Sequence, residues 1–203
     1  GLHADYERWL EKLAPEKLTL DQKNDGQRAV ALFALQRLAK QSPDLAAARW
    51  EKISFYFPED EKHYFYGWLG YEAARNLDGR ALQWYKEAAS TPLSEQQLIW
   101  RVRAALRAQD WPEVLAGIDA MSQQQQQDTS WQYWKARALQ ELQMVPEARQ
   151  IFVSLSGKYS FYGQLAAEEL AGFTILSEAV PAYKPDEQAI AAMKSLPGVR
   201  RTM

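Results

Sequence analysis

The chain has 203 residues, a formal net charge of −2 at pH 7 and no cysteine. This length allows one large domain or two small ones, and the near-neutral charge gives no overall field that would attract nucleic acid or an anionic membrane. The lack of cysteine excludes disulfide bonds, thiolate zinc sites and a cysteine nucleophile. No apolar run approaches the length of a membrane-spanning helix.

Helical periodicity begins in the stretch DGQRAVALFALQRLAKQ and recurs along most of the chain. The apolar residues that share one helix face there are Val30, Phe33, Ala34 and Leu38. A second helix is predicted after Ser42, a typical N-cap residue. Pro43 would take its first position, where the missing N–H costs nothing.

Two pairs of polar residues predict capping boxes at the start of later helices. Ser94 is followed by Gln97, and Thr129 is followed by Gln132. The polar stretch SQQQQQD (122–128) between them is predicted to be a connection. Alternation with period two is scarce, so we predict about ten helices and no strand.

Three tryptophans mark a repeat, because Trp68, Trp100 and Trp134 lie 32 and 34 residues apart. A Pro-Glu pair follows each of the last two tryptophans, starting at Pro112 and at Pro146. A helix, a short turn and a second helix entered through proline, repeated at this period, predict stacked helical hairpins. The predicted fold class is therefore all-α, a tetratricopeptide-like superhelix.

The stretch SWQYWKARAL (130–139) raises the question of what its aromatic residues do. Trp131, Trp134 and Ala138 share one helix face, and Trp134 recurs in register with Trp68 and Trp100. We interpret the three in-register tryptophans as core-packing positions between hairpins. Tyr133 lies on a different face, so packing and ligand binding both stay open for it.

A cluster of arginines accompanies the second of these tryptophans. Arg101, Arg103 and Arg107 occur with no acidic residue between positions 96 and 109, and the last two share a helix face with Trp100. In one interpretation their stems cover the tryptophan while their charges stay in water. In the other, they offer planar donors to an anionic or sugar ligand in a concave groove. Arg103, Arg107 and Tyr133 are thus the candidate groove residues.

The sequence shows no arrangement of side chains that is typical of a catalytic or metal site. It lacks HExxH, GxSxG, a glycine-rich phosphate loop and EF-hand spacing. The acids in the most apolar sequence surroundings are Glu72 and Glu168, and neither has a recognisable partner. We predict no catalytic residue in this chain, no metal and no cofactor.

Two motifs together suggest a family. WQYWKARAL followed by SFYGQLAAEEL (160–170) resembles the end of the superhelix of soluble lytic murein transglycosylases, where a W-x-Y-W-x-A-R-A-L helix precedes a helix containing F-Y-G. The tail AAMKSLPGVRRTM resembles the start of the linker domain that follows in that family. On this likeness we assign residues 1–180 to a superhelical domain and 181–203 to a truncated linker domain.

The resemblance implies a periplasmic enzyme that cleaves the glycan strands of peptidoglycan to 1,6-anhydromuramic acid ends. In the family a glutamate of a lysozyme-like domain does the chemistry, and the motifs of that domain are missing here: Glu-Ser, GLMQ and AYNAG. We therefore expect a non-catalytic scaffold whose partners are glycan strands and the catalytic domain of the same parent chain. The alternative is a tetratricopeptide-like adaptor that binds a peptide or protein partner; it predicts the same fold.

Overall fold

The computed structural model describes residues 24–175 and residue 186. Within that part the chain forms ten α-helices and one short 3-10 helix (Ser54–Tyr56), and it forms no strand. The helices are α1 (Asp25–Gln41), α2 (Pro43–Ile53), α3 (Glu59–Arg75), α4 (Ala81–Glu87), α5 (Glu95–Ala108), α6 (Trp111–Asp119), α7 (Gln123–Gln126), α8 (Thr129–Glu141), α9 (Val145–Ser156) and α10 (Phe161–Ile175). The all-α prediction is confirmed. None of these helices is both long and apolar enough to cross a membrane.

Several helices begin where the sequence predicts. The Ser42 side chain caps α2 by accepting a hydrogen bond from the backbone N–H of Leu45 at 3.3 Å, and Pro43 stands at the first helical position. Ser94 and Gln97 form a complete capping box at the start of α5, with each side chain accepting from the other residue's backbone N–H.

The other predicted capping box is wrong. Asp128 is the N-cap of α8, and its carboxylate accepts a hydrogen bond from the backbone N–H of Ser130 at 2.8 Å. Thr129 is consequently the first residue of the helix rather than its cap. A charged carboxylate is the stronger acceptor for free helix N–H groups, so the cap moves one residue upstream. The glutamine stretch before it also differs from the prediction, because α7 forms a single capped turn there.

The helices pack as consecutive antiparallel hairpins that stack on one another. The pairs α1–α2, α3–α4, α5–α6 and α8–α9 each form a hairpin, and α10 packs against α9. The first helices of the first three hairpins, α1, α3 and α5, also contact one another in that order. This arrangement is the predicted superhelix of stacked hairpins. The predicted boundary at residue 180 and the linker domain after it lie outside the described residues.

The buried apolar side chains form two clusters along the stack. The larger cluster spans α1 to α6 and includes Ala138 of α8, and the smaller one joins α8, α9 and α10 around Tyr133 and Phe152. Two half-buried side chains, Leu115 and Trp134, pack against both clusters. The two clusters are therefore joined through α6 and α8.

The three in-register tryptophans are less buried than the packing interpretation predicts. Trp100 and Trp134 are half-buried at the edge of the core, and Trp68 is half-buried beside a pocket. The tryptophans that the structure buries are Trp50 and Trp84, which stand at other positions of the hairpins. Trp100 and Trp134 thus pack against the core without being enclosed by it.

Candidate functional site

A pocket of about 320 Å³ opens between α1 and α3. Its lining is mainly aromatic and charged. The residues that line it are Gln36, Arg37 and Lys40 of α1 and Trp68, Tyr71, Glu72 and Arg75 of α3. The four residues of α3 follow the 3, 4, 7 spacing of one helix face, so helical geometry alone brings them to this side.

Helix α5 packs against α3 next to this pocket. Arg107 of α5 donates a hydrogen bond from Nη2 to the backbone carbonyl of Ala74 at 3.1 Å, next to Arg75 of the pocket. Trp100 and Arg103 lie on the same face of α5 as Arg107, two turns and one turn earlier, respectively. We refer to the surface formed by the pocket together with Trp100, Arg103 and Arg107 as the arginine groove.

Each first helix of these hairpins carries an aromatic ring with an arginine over it. The guanidinium carbon of Arg37 lies 5.8 Å from the ring centroid of Phe33, and that of Arg75 lies 5.5 Å from the centroid of Tyr71. In α5 the corresponding distance between Arg103 and the Trp100 ring is 4.8 Å. These distances allow cation–π attraction, which holds each guanidinium in place.

The arginine groove has an excess of positive charge. Among the described residues, Glu72 is the one acid that lines the pocket, and it is buried and ion-paired with Arg75 at 3.0 Å. Among the described residues, no carboxylate lies within ion-pairing distance of Arg37, Lys40 or Arg103. An anionic group could therefore approach these three side chains without displacing a carboxylate of the chain.

Arg103 and Arg107 thus belong to one surface, whereas Arg101 points away from it. Arg101 forms an ion pair with Glu113 of α6, which fastens the two helices of that hairpin. Arg103 is exposed and lies over Trp100, so stem packing and an available charge occur together in this residue. The two interpretations of the cluster are not exclusive.

Tyr133, the third candidate groove residue, is not in the groove. It is only 6% exposed and lies in the smaller core cluster, with its ring centroid 5.5 Å from that of Tyr162 and 5.8 Å from that of Phe152. Its hydroxyl donates a hydrogen bond to Glu169 at 3.2 Å. Burial raises the pKa of Tyr133 above its ordinary value. The ligand interpretation of Tyr133 is therefore wrong, because α9 and α10 cover the ring.

Sequence reasoning missed the half of the groove that α1 and α3 supply. The sequence patterns indicate no function for Arg37, Lys40, Tyr71 and Arg75, and they predict a core position for Trp68. A signal was available, because Phe33–Arg37 and Tyr71–Arg75 both have the i, i+4 spacing of an aromatic–cation pair on one helix face.

No metal or acid–base site stands beside the groove in residues 24–175. No group of three or more His, Asp or Glu side chains there could hold a metal ion. Of the two acids noted in the sequence, Glu72 is paired with Arg75 and Glu168 is exposed.

A solved structure of a lytic transglycosylase matches the chain along most of its length. It is an inactive mutant of the lytic transglycosylase Slt from Pseudomonas aeruginosa, with 27% sequence identity and a TM-score of 0.62. This chain is similar to a segment of a lytic transglycosylase. The match covers 94% of this chain and 32% of that chain, so the likeness concerns about a third of that enzyme. No protein-family model and no curated protein matches the chain.

Proposed function

We propose that this chain is a non-catalytic superhelical segment of a periplasmic lytic transglycosylase, and that it holds peptidoglycan strands for a catalytic domain of the same parent chain. The observation that carries the proposal is the structural match to such an enzyme over 94% of this chain. The motifs WQYWKARAL and SFYGQLAAEEL lie within the helices that form the smaller core cluster, α8 and α10.

The arginine groove supports this proposal. Stacked hairpins present their first helices as one continuous surface, which is how repeat proteins bind long ligands. Here three successive first helices carry rings and cationic side chains on that surface. A polymer that lies across α1, α3 and α5 would meet similar chemistry at each step.

Two carboxylates that are shielded from solvent, those of Glu72 and Glu113, are both held in ion pairs, which supports a binding role rather than a cleaving one. Glu72 is ion-paired with Arg75, and Glu113 is ion-paired with Arg101. Acid catalysis at a glycosidic oxygen needs a carboxyl group that is free to carry and release a proton. We therefore assign cleavage to a domain outside this chain.

The proposal is tested by cosedimentation with purified, insoluble peptidoglycan. The chain is expected to pellet with peptidoglycan in a saturable manner and to stay in solution with cellulose, an insoluble glucan that lacks peptides. An unrelated helical-repeat protein of similar charge serves as the control for trapping. If the chain stays in solution at every peptidoglycan concentration, the proposal is wrong. Saturable binding of a peptide that peptidoglycan does not displace would favour the adaptor function instead.

A further inference from the structure

We infer that the arginine groove recognises carboxylate groups on the peptides of a peptidoglycan strand, rather than the faces of its sugar rings. This inference rests on the proposed function and specifies which part of the ligand the segment holds. The contacts that lead to it are the occupied aromatic faces, the cations without carboxylate partners and the restraint on their guanidinium groups.

An arginine already occupies one face of two of the three aromatic rings of the groove, Tyr71 and Trp100, and of Phe33 on α1; the third groove ring, Trp68, contacts Tyr71 edge-on. Arg37 lies over Phe33, Arg75 over Tyr71 and Arg103 over Trp100. A sugar that stacks on an aromatic residue needs an open ring face on the side from which it approaches. A ligand that approaches Tyr71 or Trp100 from the side of its guanidinium group therefore meets the arginine before it meets the ring.

Several cationic side chains that a ligand would meet are not paired with a carboxylate and can bind an anion. Within residues 24–175, Arg37 and Arg103 have no carboxylate partner. Lys40, in the last turn of α1, has none either. Arginines at other helix contacts differ, since Arg80 is paired with Asp78 and Arg101 with Glu113. Three of the groove's cations, Arg37, Lys40 and Arg103, therefore have no carboxylate to displace, whereas Arg75 is paired with Glu72.

The helix dipole explains only part of this charge. Cations are favoured in the last turn of a helix, and Lys40, Arg75 and Arg107 occupy such positions in α1, α3 and α5. Arg37 and Arg103 lie further inside their helices, so the dipole does not account for them. Their shared feature is the ring beneath the guanidinium group.

Stacking also prepares these arginines for a carboxylate. A guanidinium group that lies over a ring loses little further freedom when it binds, and its outer edge presents two parallel N–H donors to a carboxylate. Arg107 has a positioning role, because its hydrogen bond to the Ala74 carbonyl fixes α5 against the end of α3. The peptides of peptidoglycan supply the carboxylates, whereas an N-acetylglucosamine oligomer has none.

Calorimetric titration of the chain with four soluble probes tests the inference. The probes are a peptide-bearing disaccharide released from peptidoglycan, its free peptide, the disaccharide that carries only the lactyl carboxylate, and the neutral tetramer of N-acetylglucosamine. We expect the first two to bind, with affinity that falls as salt is added, and the last two to bind at least about tenfold more weakly. Equal affinity for the neutral tetramer would overturn the inference. Equal affinity for the lactyl disaccharide would overturn the assignment to the peptide.

Matched variants locate the site. Arg37→Ala and Arg103→Ala should each weaken binding of the peptide-bearing disaccharide by about tenfold, the loss expected for one charge-assisted pair. Arg149→Ala removes the same charge from an exposed arginine of α9 outside the groove and should leave binding unchanged. Arg103→Lys keeps the charge without the planar donor pair and should give an intermediate loss. Circular dichroism checks that each variant keeps its helices.

The outcomes also separate this inference from the proposed function. If the arginine variants bind the peptide-bearing disaccharide as tightly as the parent chain does, the groove assignment is wrong while peptidoglycan binding stands. If the chain binds insoluble peptidoglycan but none of the soluble peptide-bearing probes, the inference alone fails. If it binds no peptidoglycan fragment in any form, the proposed function fails as well.

Discussion

Trp50 is the largest fully buried side chain among the described residues, and it lies between the first two hairpins. It is 1% exposed, and its ring centroid lies 5.0 Å from that of Phe57, 4.5 Å from that of Phe65 and 6.0 Å from that of Tyr66. Trp50→Ala should lower the free energy of unfolding by about 3–5 kcal/mol, because it leaves a cavity among rings that cannot close over it. Urea denaturation followed by circular dichroism measures this loss.

The half-buried Trp100 provides the comparison for that prediction. Its ring contacts the core on one side and lies beneath Arg103 on the other, so Trp100→Ala removes fewer buried contacts. We expect a clearly smaller loss than for Trp50→Ala. Equal losses for the two variants would mean that Trp100 contributes to the core as the repeat in the sequence predicts.

Asp78 gives the stability of the chain a dependence on pH. A hydrogen bond from the Arg80 side chain lowers the pKa of Asp78 below its ordinary value, and the opposing effect of burial is smaller. Because the pKa is lower in the folded than in the unfolded chain, this pair stabilises the fold above about pH 4. The stabilisation is lost as the pH falls from there through the folded value.

Asp78→Asn tests this dependence. Asparagine keeps the side-chain oxygen that accepts the backbone N–H of Arg80 at 2.9 Å, but it loses the charge. At pH 7 the variant should be less stable by about 0.5–1 kcal/mol, a modest value because Arg80 is half exposed. The difference from the parent chain should shrink below about pH 4, as unfolding curves at stepped pH would show. A difference that is the same at pH 7 and pH 3 would exclude Asp78 as the titrating group.

At the scale of the elements, Gly163 explains why the F-Y-G motif ends in glycine. A Cβ atom at this position would overlap the carbonyl oxygen of Lys158 and come within 2.9 Å of the carbonyl oxygen of Leu155. Both oxygens belong to the end of α9 and the turn that follows it, so the backbone of α10 packs directly against that turn. The Gly163 N–H also donates a hydrogen bond to the Ser160 side chain at 3.0 Å.

Gly163→Ala should therefore destabilise the packing of α10 against α9. We expect a loss of at least about 1–3 kcal/mol, because the clash is with backbone atoms that cannot rotate away. Gly157→Ala is the matched control, since no atom lies within 4 Å of the Cβ that it would add. Hydrogen exchange should show faster opening of α9 and α10 in the first variant and no change in the second. Unchanged exchange in both would show that α10 packs elsewhere.

The local signals in the sequence suffice to predict the helices but not which of their faces is buried. Ser42 and Ser94 mark the starts of α2 and α5 because a cap involves atoms a few residues apart. The choice between Trp134 and Tyr133 depends instead on what covers each side of α8. Phe152 and Tyr162, from the next two helices, close over Tyr133, and no periodicity within α8 contains that information.

At the scale of the molecule, the arginine groove exists only because three hairpins stack. The prediction from α5 alone found Arg103 and Arg107 but not Arg37, because the repeat was aligned on tryptophan and α1 has none. The aromatic residue of α1 is Phe33. Its pairing with Arg37 can be recognised as part of a repeated arrangement only by comparison with the equivalent pairs in α3 and α5. The fold class follows from periodicity, whereas the site follows from the order in which neighbouring helices meet.

The whole chain should bind peptidoglycan without cleaving it. Cleavage to 1,6-anhydro ends requires a general acid that donates a proton to the glycosidic oxygen inside an enclosed site. The groove instead presents guanidinium groups, and the buried carboxylate beside it, Glu72, is held by Arg75.

Incubation of the chain with purified peptidoglycan should therefore release no 1,6-anhydro muropeptides by mass spectrometry. A lytic transglycosylase that contains a lysozyme-like domain should release them under the same conditions. Product from this chain would contradict the scaffold role, and loss of that product in Glu72→Gln or Glu168→Gln would identify the acid responsible.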